Sequence, residues 1–170
     1  DFIREENSKK GTRDWRLSNT KTVPGKINRI LDNGRSKAIE GYCNANSLRA
    51  GEKLKIMVST NTASAFKLDI FRTGYYGGTG ARLMKSFDSL KAGAQPDPPV
   101  DENYVRECQW EPTVELEIPK TWPSGVYLGK MTAERSGIQS YVIFIVRDDR
   151  PCDFLFQCSD LTWSAYNRWP

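Results

Sequence analysis

The chain has 170 residues, the size of one ordinary domain, or of one domain plus a piece of the next. An apolar share of 38% with 7 Phe, 7 Tyr and 5 Trp is enough to build a core and excludes an intrinsically disordered chain. The 25 basic and 21 acidic residues leave a net charge of +4, scattered rather than clustered, which argues against a nucleic-acid partner, and the absence of histidine excludes a Ser-His triad, a Cys-His pair and any His-ligated metal.

Residues 1–36 are polar and broken by Gly11, Pro24, Gly25 and Gly34. They read as an extended arm over the surface, pinned by Phe2, Ile3, Trp15 and Leu17. Asp1 in place of a Met, with no apolar stretch before it, suggests a processed or trimmed start. From Lys37 the texture changes to short alternating segments. Residues 38–43 form one; Leu54, Ile56 and Val58 share one face of the next; Phe66, Leu68 and Ile70 share a face of a third. Thr73-Gly-Tyr-Tyr-Gly-Gly-Thr-Gly80 carries four glycines and must be a tight or unusual connection, after which residues 81–87 resume a strand.

Residues 88–103, with Pro96, Pro98 and Pro99, read as a loop. Tyr104, Arg106, Cys108 and Trp110 then alternate with polar neighbours, and Val114, Leu116 and Ile118 alternate cleanly. Trp122-Pro-Ser-Gly125 is a turn. Residues 126–133 and 139–146 are strands joined at Ser136-Gly137 as a hairpin, the second expected to be the most buried of all. About eight short strands between Gly/Pro turns predict an immunoglobulin-like antiparallel β-sandwich over residues 37–147. The longest apolar run, residues 141–146, is far too short for a membrane span.

Beyond Arg147-Asp-Asp-Arg-Pro151 the pattern shifts. Residues 153–158 read as an apolar strand, and Ser159 or Asp160 as the cap of a helix holding Trp163, Tyr166 and Trp169. Strand, short loop and helix is how an α/β unit begins, so residues 148–170 are expected to be a linker and the start of an incomplete α/β domain belonging to a longer polypeptide.

Four features bear on chemistry. Arg72 with Tyr75 and Tyr76 on the glycine-rich loop could hold an anionic or planar ligand, although the loop is no phosphate-binding motif and a connection packing its tyrosines on another domain is the simpler reading. Asp148, Asp149 and Asp153 lack any calcium-loop register and read as solvated linker charge. The five tryptophans could stack on sugars if exposed, but Trp110 and Trp122 flank strands as core or turn anchors would. Gln157, Cys158 and Ser159 end the expected strand 153–158, where α/β folds bind ligands, yet no histidine exists to activate Cys158. The four cysteines, Cys43, Cys108, Cys152 and Cys158, allow three disulfide pairings or none. Cys43 with Cys108 is the expected bridge if one forms, since both lie in strand-like segments of one domain.

The strings Ile39-Glu-Gly-Tyr42, Ile70-Phe-Arg-Thr-Gly-Tyr-Tyr-Gly-Gly78, Cys108-Gln-Trp110 and Trp122-Pro-Ser-Gly-Val-Tyr-Leu128 resemble the N,N-dimethylformamidase large (beta) subunit-like family, in its amino-terminal part. So do Gln139-Ser-Tyr-Val-Ile-Phe-Ile-Val-Arg-Asp-Asp149, Phe156-Gln-Cys-Ser159, Ala165-Tyr-Asn-Arg-Trp169 and, near the start, Glu6-Asn7, Gly11-Thr12 and Trp15. The resemblance runs along nearly the whole chain. It implies an amino-terminal β-sandwich followed by a larger α/β domain, and C–N bond hydrolysis by an iron held by Tyr, His and Glu in that larger domain. None of those ligands can be placed on this chain, so no cofactor is expected in it. The expected function is a non-catalytic sandwich module that packs on and shapes the α/β catalytic domain, with Arg72, Tyr75, Tyr76, Gln157 and Ser159 at the ligand or interface side. Its partner would be the rest of its own polypeptide or a companion chain, with oligomer formation left open and a secreted or periplasmic location. The alternatives are an exported carbohydrate-binding or surface-adhesive sandwich, and a structural subunit of an extracellular assembly whose arm clasps a neighbour.

Overall fold

A computed structural model describes residues 2–20, 35–167 and 169. Eight strands lie among them: β1 (Glu40–Cys43), β2 (Ser47–Arg49), β3 (Lys53–Ser59), β4 (Ser64–Thr73), β5 (Ala81–Ala92), β6 (Val114–Glu117), β7 (Gly125–Ala133) and β8 (Gln139–Arg147). Two short helices flank them, α1 (Phe2–Ser8) and α2 (Asp160–Ala165). The strands form a three-stranded sheet of order β1-β3-β6 and a five-stranded sheet of order β2-β8-β7-β4-β5.

Period-2 alternation explains the shared core. Leu54, Ile56, Val58, Val114 and Leu116 from the small sheet meet Phe66, Leu68, Ile70, Tyr127, Met131, Val142, Phe144 and Val146 from the large one. Trp122, Tyr127 and Phe144 stack through this core at centroid separations of 5.0 and 5.3 Å. The β7–β8 hairpin is antiparallel as expected. The most buried strand of the large sheet is β4 rather than β8: both are paired on two sides, but β4 buries Phe66, Leu68, Ile70, Phe71 and Arg72, whereas β8 buries Val142, Phe144 and Val146 and carries the exposed Ile143.

The structure corrects the sequence reading elsewhere. The pairing is not wholly antiparallel, because the three-residue β2 runs parallel to the end of β8. That strand is too short to show a period in sequence. Residues 104–110 form no strand. Tyr104 is exposed with a positive φ of 61°, the prolines around the segment withhold ladder donors, and Trp110 is buried alone. Residues 153–158 form no strand either. Phe154, Leu155 and Phe156 are 91%, 90% and 84% exposed, and no strand among the described residues takes their backbone groups. Helix α2 stops at Ala165, so Trp163 lies on it while Tyr166 caps it and Trp169 falls beyond. All four cysteines are free. Cys43 packs against the core while the neighbouring Tyr42, on the other face of β1, contacts Cys108; alternation therefore turns the Cys43 thiol away from its expected partner.

The amino-terminal segment is also more ordered than an extended arm. Residues 2–8 are helical, and the following residues cross the large sheet as a strap. Thr12 N donates to Ala81 O at 2.8 Å, the Trp15 indole donates to Thr79 O at 3.0 Å, the Tyr141 hydroxyl donates to Trp15 O, and Ser18 N donates to Gln139 Oε1 at 2.8 Å. The expected breaks at Pro24, Gly25 and Gly34 lie outside the described residues.

Candidate functional site

The loop between β4 and β5 doubles back through Tyr76, Gly77, Gly78 and Gly80, all at positive φ (41°, 64°, 83° and 94°). Three of these four are glycines because an L side chain is strained there. Tyr76 accepts the strain and turns inward, where it is fully buried. The loop is thus folded to present one phenol to the interior.

That phenol meets a charged cluster. The Tyr76 hydroxyl donates to Glu6 Oε1 at 2.9 Å and accepts from Arg72 Nη1 at 2.8 Å. Glu6, only 2% exposed, also accepts from Arg82 Nε at 2.6 Å and from Lys9 Nζ at 2.6 Å. Arg72, 4% exposed, also donates to Ser124 O, at 3.1 Å from Nε and 2.8 Å from Nη2, and from Nη1 to Thr73 O at 3.4 Å. Burial pushes the Glu6 carboxyl up, but the hydrogen bonds from Arg82, Lys9 and Tyr76 together outweigh it and hold the group below the usual carboxylate range. Burial likewise raises Tyr76, opposed by the Arg72 hydrogen bond. Helix α1 supplies Glu6, and Asn7 beside it accepts from Tyr75 N at 2.7 Å. Gly11 lies so close to the loop that a Cβ there would sit 2.1 Å from Thr79 Oγ1.

Of the residues singled out in sequence, Arg72 and Tyr76 are therefore brought together, and their polar groups are satisfied within the fold. Tyr75 stands apart, 72% exposed on the outer side of the same loop. Gln157 and Ser159 lie far along the chain in a recess of about 360 Å³ lined, among the described residues, by 157–162 alone, so no second described element contributes a group there. Glu6, Arg82 and Asn7 were not singled out as site residues. Glu6 and Asn7 stand in one of the quoted motifs, but a partnership spanning 76 positions, as between Glu6 and Arg82, leaves no local pattern.

A second cluster lines a cleft of about 560 Å³ between β1, the loop 106–110 and the end of the chain, with Tyr42, Cys43, Cys108, Trp110 and Trp169 among its walls. It adjoins a cleft of about 310 Å³ between α2 and the β1 and β8 strands. Burial pushes the Cys43 thiol up to about 12; burial, and then the Glu40 charge, push Cys108 to about 11. Both thiols are protonated at neutral pH and are poor nucleophiles or metal ligands.

The iron ligands implied by the sequence resemblance do not fit these residues. The chain has no histidine, and among the described residues no three His, Cys, Asp or Glu side chains converge. The buried Tyr76–Glu6 pair is ringed by Arg72, Arg82 and Lys9, whose charges oppose a cation. No helix among the described residues is long and apolar enough to cross a membrane.

Comparison with known protein families matches residues 67–170, more than half of the chain, to the family model described as N,N-dimethylformamidase beta subunit-like, C-terminal. The match begins inside β4 and its bounds include residues 147–152, whereas the motif resemblance is to the amino-terminal part of such a protein. No curated protein matches the chain.

Proposed function

Because the chain belongs to the N,N-dimethylformamidase beta subunit-like family, we propose that it is a non-catalytic, immunoglobulin-like sandwich module of a formamidase-like C–N bond hydrolase, packing on and shaping an α/β catalytic domain. That domain would lie in the same polypeptide or in a companion chain, and any iron would be held there. The observation that carries the reading is the segment after β8. Phe154, Leu155, Phe156, Leu161 and Tyr166 are all at least 78% exposed within a short stretch, which is apolar surface of the kind that a second domain covers. Tyr75 on its loop, with Gln157 and Ser159 beside the apolar run, would complete the interface, while Arg72 and Tyr76 brace the loop from behind.

The sandwich assignment draws support from Tyr127, whose buried hydroxyl donates to Pro123 O at 2.6 Å. A tyrosine bonding back to the backbone just upstream, at the start of the penultimate strand, is a corner contact of immunoglobulin-like sandwiches. The sugar-binding alternative asks for an exposed row of tryptophans, and Trp110 and Trp122 are instead buried.

Two measurements test the proposal. Purified chain incubated with N,N-dimethylformamide, with and without ferrous iron, should release no dimethylamine above a metal-only control. The rest of the parent protein, supplied separately, should co-elute with the chain, and Phe154→Ser with Phe156→Ser should abolish that co-elution without lowering the melting temperature. Turnover by the chain alone, or co-elution undiminished by the double substitution, would overturn the reading.

A further inference from the structure

Trp169 lies past the end of α2, yet it is folded back and half-buried against the small sheet. Its indole N–H donates to Glu40 Oε2 at 2.9 Å. The Arg35 guanidinium lies over its ring, 4.6 Å from the centroid. Trp110 meets it edge-on, with centroids 5.7 Å apart and planes at 83°. A hydrogen bond to a carboxylate, a cation–π contact and a T-shaped ring pair thus converge on one side chain.

The receiving groups are each held by further contacts besides Trp169. Arg35 also bonds Glu40 and reaches Asp97 Oδ1 at 2.8 Å. Glu40 opens β1, whose register against β3 sets it opposite Ser59. The Trp110 indole donates to Pro96 O at 2.7 Å and its backbone N–H donates to the Tyr42 hydroxyl at 3.0 Å, with the Tyr42 ring 5.5 Å away. A site held in place before its ligand arrives loses little ordering entropy on binding.

We infer that Arg35, Glu40, Tyr42 and Trp110 form a binding site for an indole, and that its ligand is the chain's own Trp169, which latches residues 160–167 to the small sheet. The site is selective by chemistry. Glu40 needs a ring N–H at the ligand's edge, which Phe lacks, and Arg35 and Trp110 need an extended π-face. The approach is intramolecular. Trp163, Ser164 and Asn167 already line the adjoining cleft against Tyr42 and Cys43, so the short tether keeps Trp169 at high effective concentration beside its site. This inference does not rest on the functional reading above.

Trp169→Ala tests it in the full chain. Amide exchange at Trp163 and Tyr166 should quicken roughly tenfold, the factor that about 1.4 kcal/mol of lost latch supplies. Free indole at millimolar concentration should bind the variant and raise its melting temperature. It should leave the wild type unchanged, because Trp169 fills the site. 1-Methylindole, without the N–H, should bind the variant at least tenfold more weakly. Should Trp169→Ala aggregate, Trp169→Phe keeps a ring but not the N–H and should still speed exchange in α2. Unchanged exchange, absence of indole binding to the variant, or equal binding of the two indoles would overturn the site. A wild-type dimer whose dissociation on dilution speeds α2 exchange would overturn the intramolecular latch in favour of exchange between copies.

Discussion

Replacing Glu6 with Gln removes a buried negative charge in direct hydrogen-bond contact with Tyr76 and Arg82 at the glycine-rich loop, and does so with little change of shape. Glu6 is buried, while the Arg82 and Lys9 side chains are 24% and 55% exposed. Breaking a buried ion pair from one side costs about 3–5 kcal/mol, and the solvent access of both cations places this substitution at or below the low end, about 3 kcal/mol. For a chain of this length that corresponds to a fall in melting temperature of roughly 6–12 °C. The pH dependence follows from the depressed carboxyl. A group whose folded-state pKa is below its unfolded value stabilises the fold above the unfolded value, near 4.3, and loses that contribution as pH falls through the folded value. Thermal and urea unfolding of wild type and Glu6→Gln should therefore show a constant gap between pH 6 and 8 that narrows below about pH 4. A gap under about 0.5 kcal/mol at pH 7, the scale of an ordinary surface substitution, would refute the reasoning, as would a gap just as wide at pH 3.5.

Gly11→Ala should release the strap, because its Cβ would fall 2.5 Å from Tyr76 Cβ and 2.8 Å from Ala81 O; amide exchange in residues 2–19 should rise sharply while β4 stays protected. Thiol labelling at pH 8 followed by intact mass should modify the exposed Cys152 before Cys108, and Cys43 last, since burial holds the last two at about 11 and about 12. Tyr127→Phe leaves the Pro123 carbonyl without its buried donor and should cost about 1–3 kcal/mol in urea unfolding. Hydrogen exchange should find residues 153–159 unprotected beside a slowly exchanging β4 and β7, since the exposed segment has no ladder to shelter its amides.

The mainly β class and most of the strands were legible in the sequence because they rest on local order. Leu54-Ile56-Val58, Phe66-Leu68-Ile70 and residues 139–146 alternate with the pleat, and a half-buried strand needs nothing more to announce itself. The turn chemistry of residues 74–80 was likewise local, since consecutive positive φ values demand glycine. Alternation also misled. Tyr104, Arg106, Cys108 and Trp110 alternate as well as β6 does, but a strand exists only where another strand takes its hydrogen bonds, and that is a tertiary condition. The same condition left the apolar residues 154–156 exposed and unpaired.

What the sequence alone determined was therefore the class of fold and the absence of histidine chemistry, both properties of composition and short-range period. The tertiary structure decided what each charged or aromatic side chain does. Arg72 and Tyr76 turn inward because α1 brings Glu6 against them from far upstream, and Trp169, beyond the end of α2, reaches Glu40, which lies 129 positions earlier. Such contacts join groups whose spacing in the chain is arbitrary, so only the folded backbone can bring their charges and rings within reach of one another.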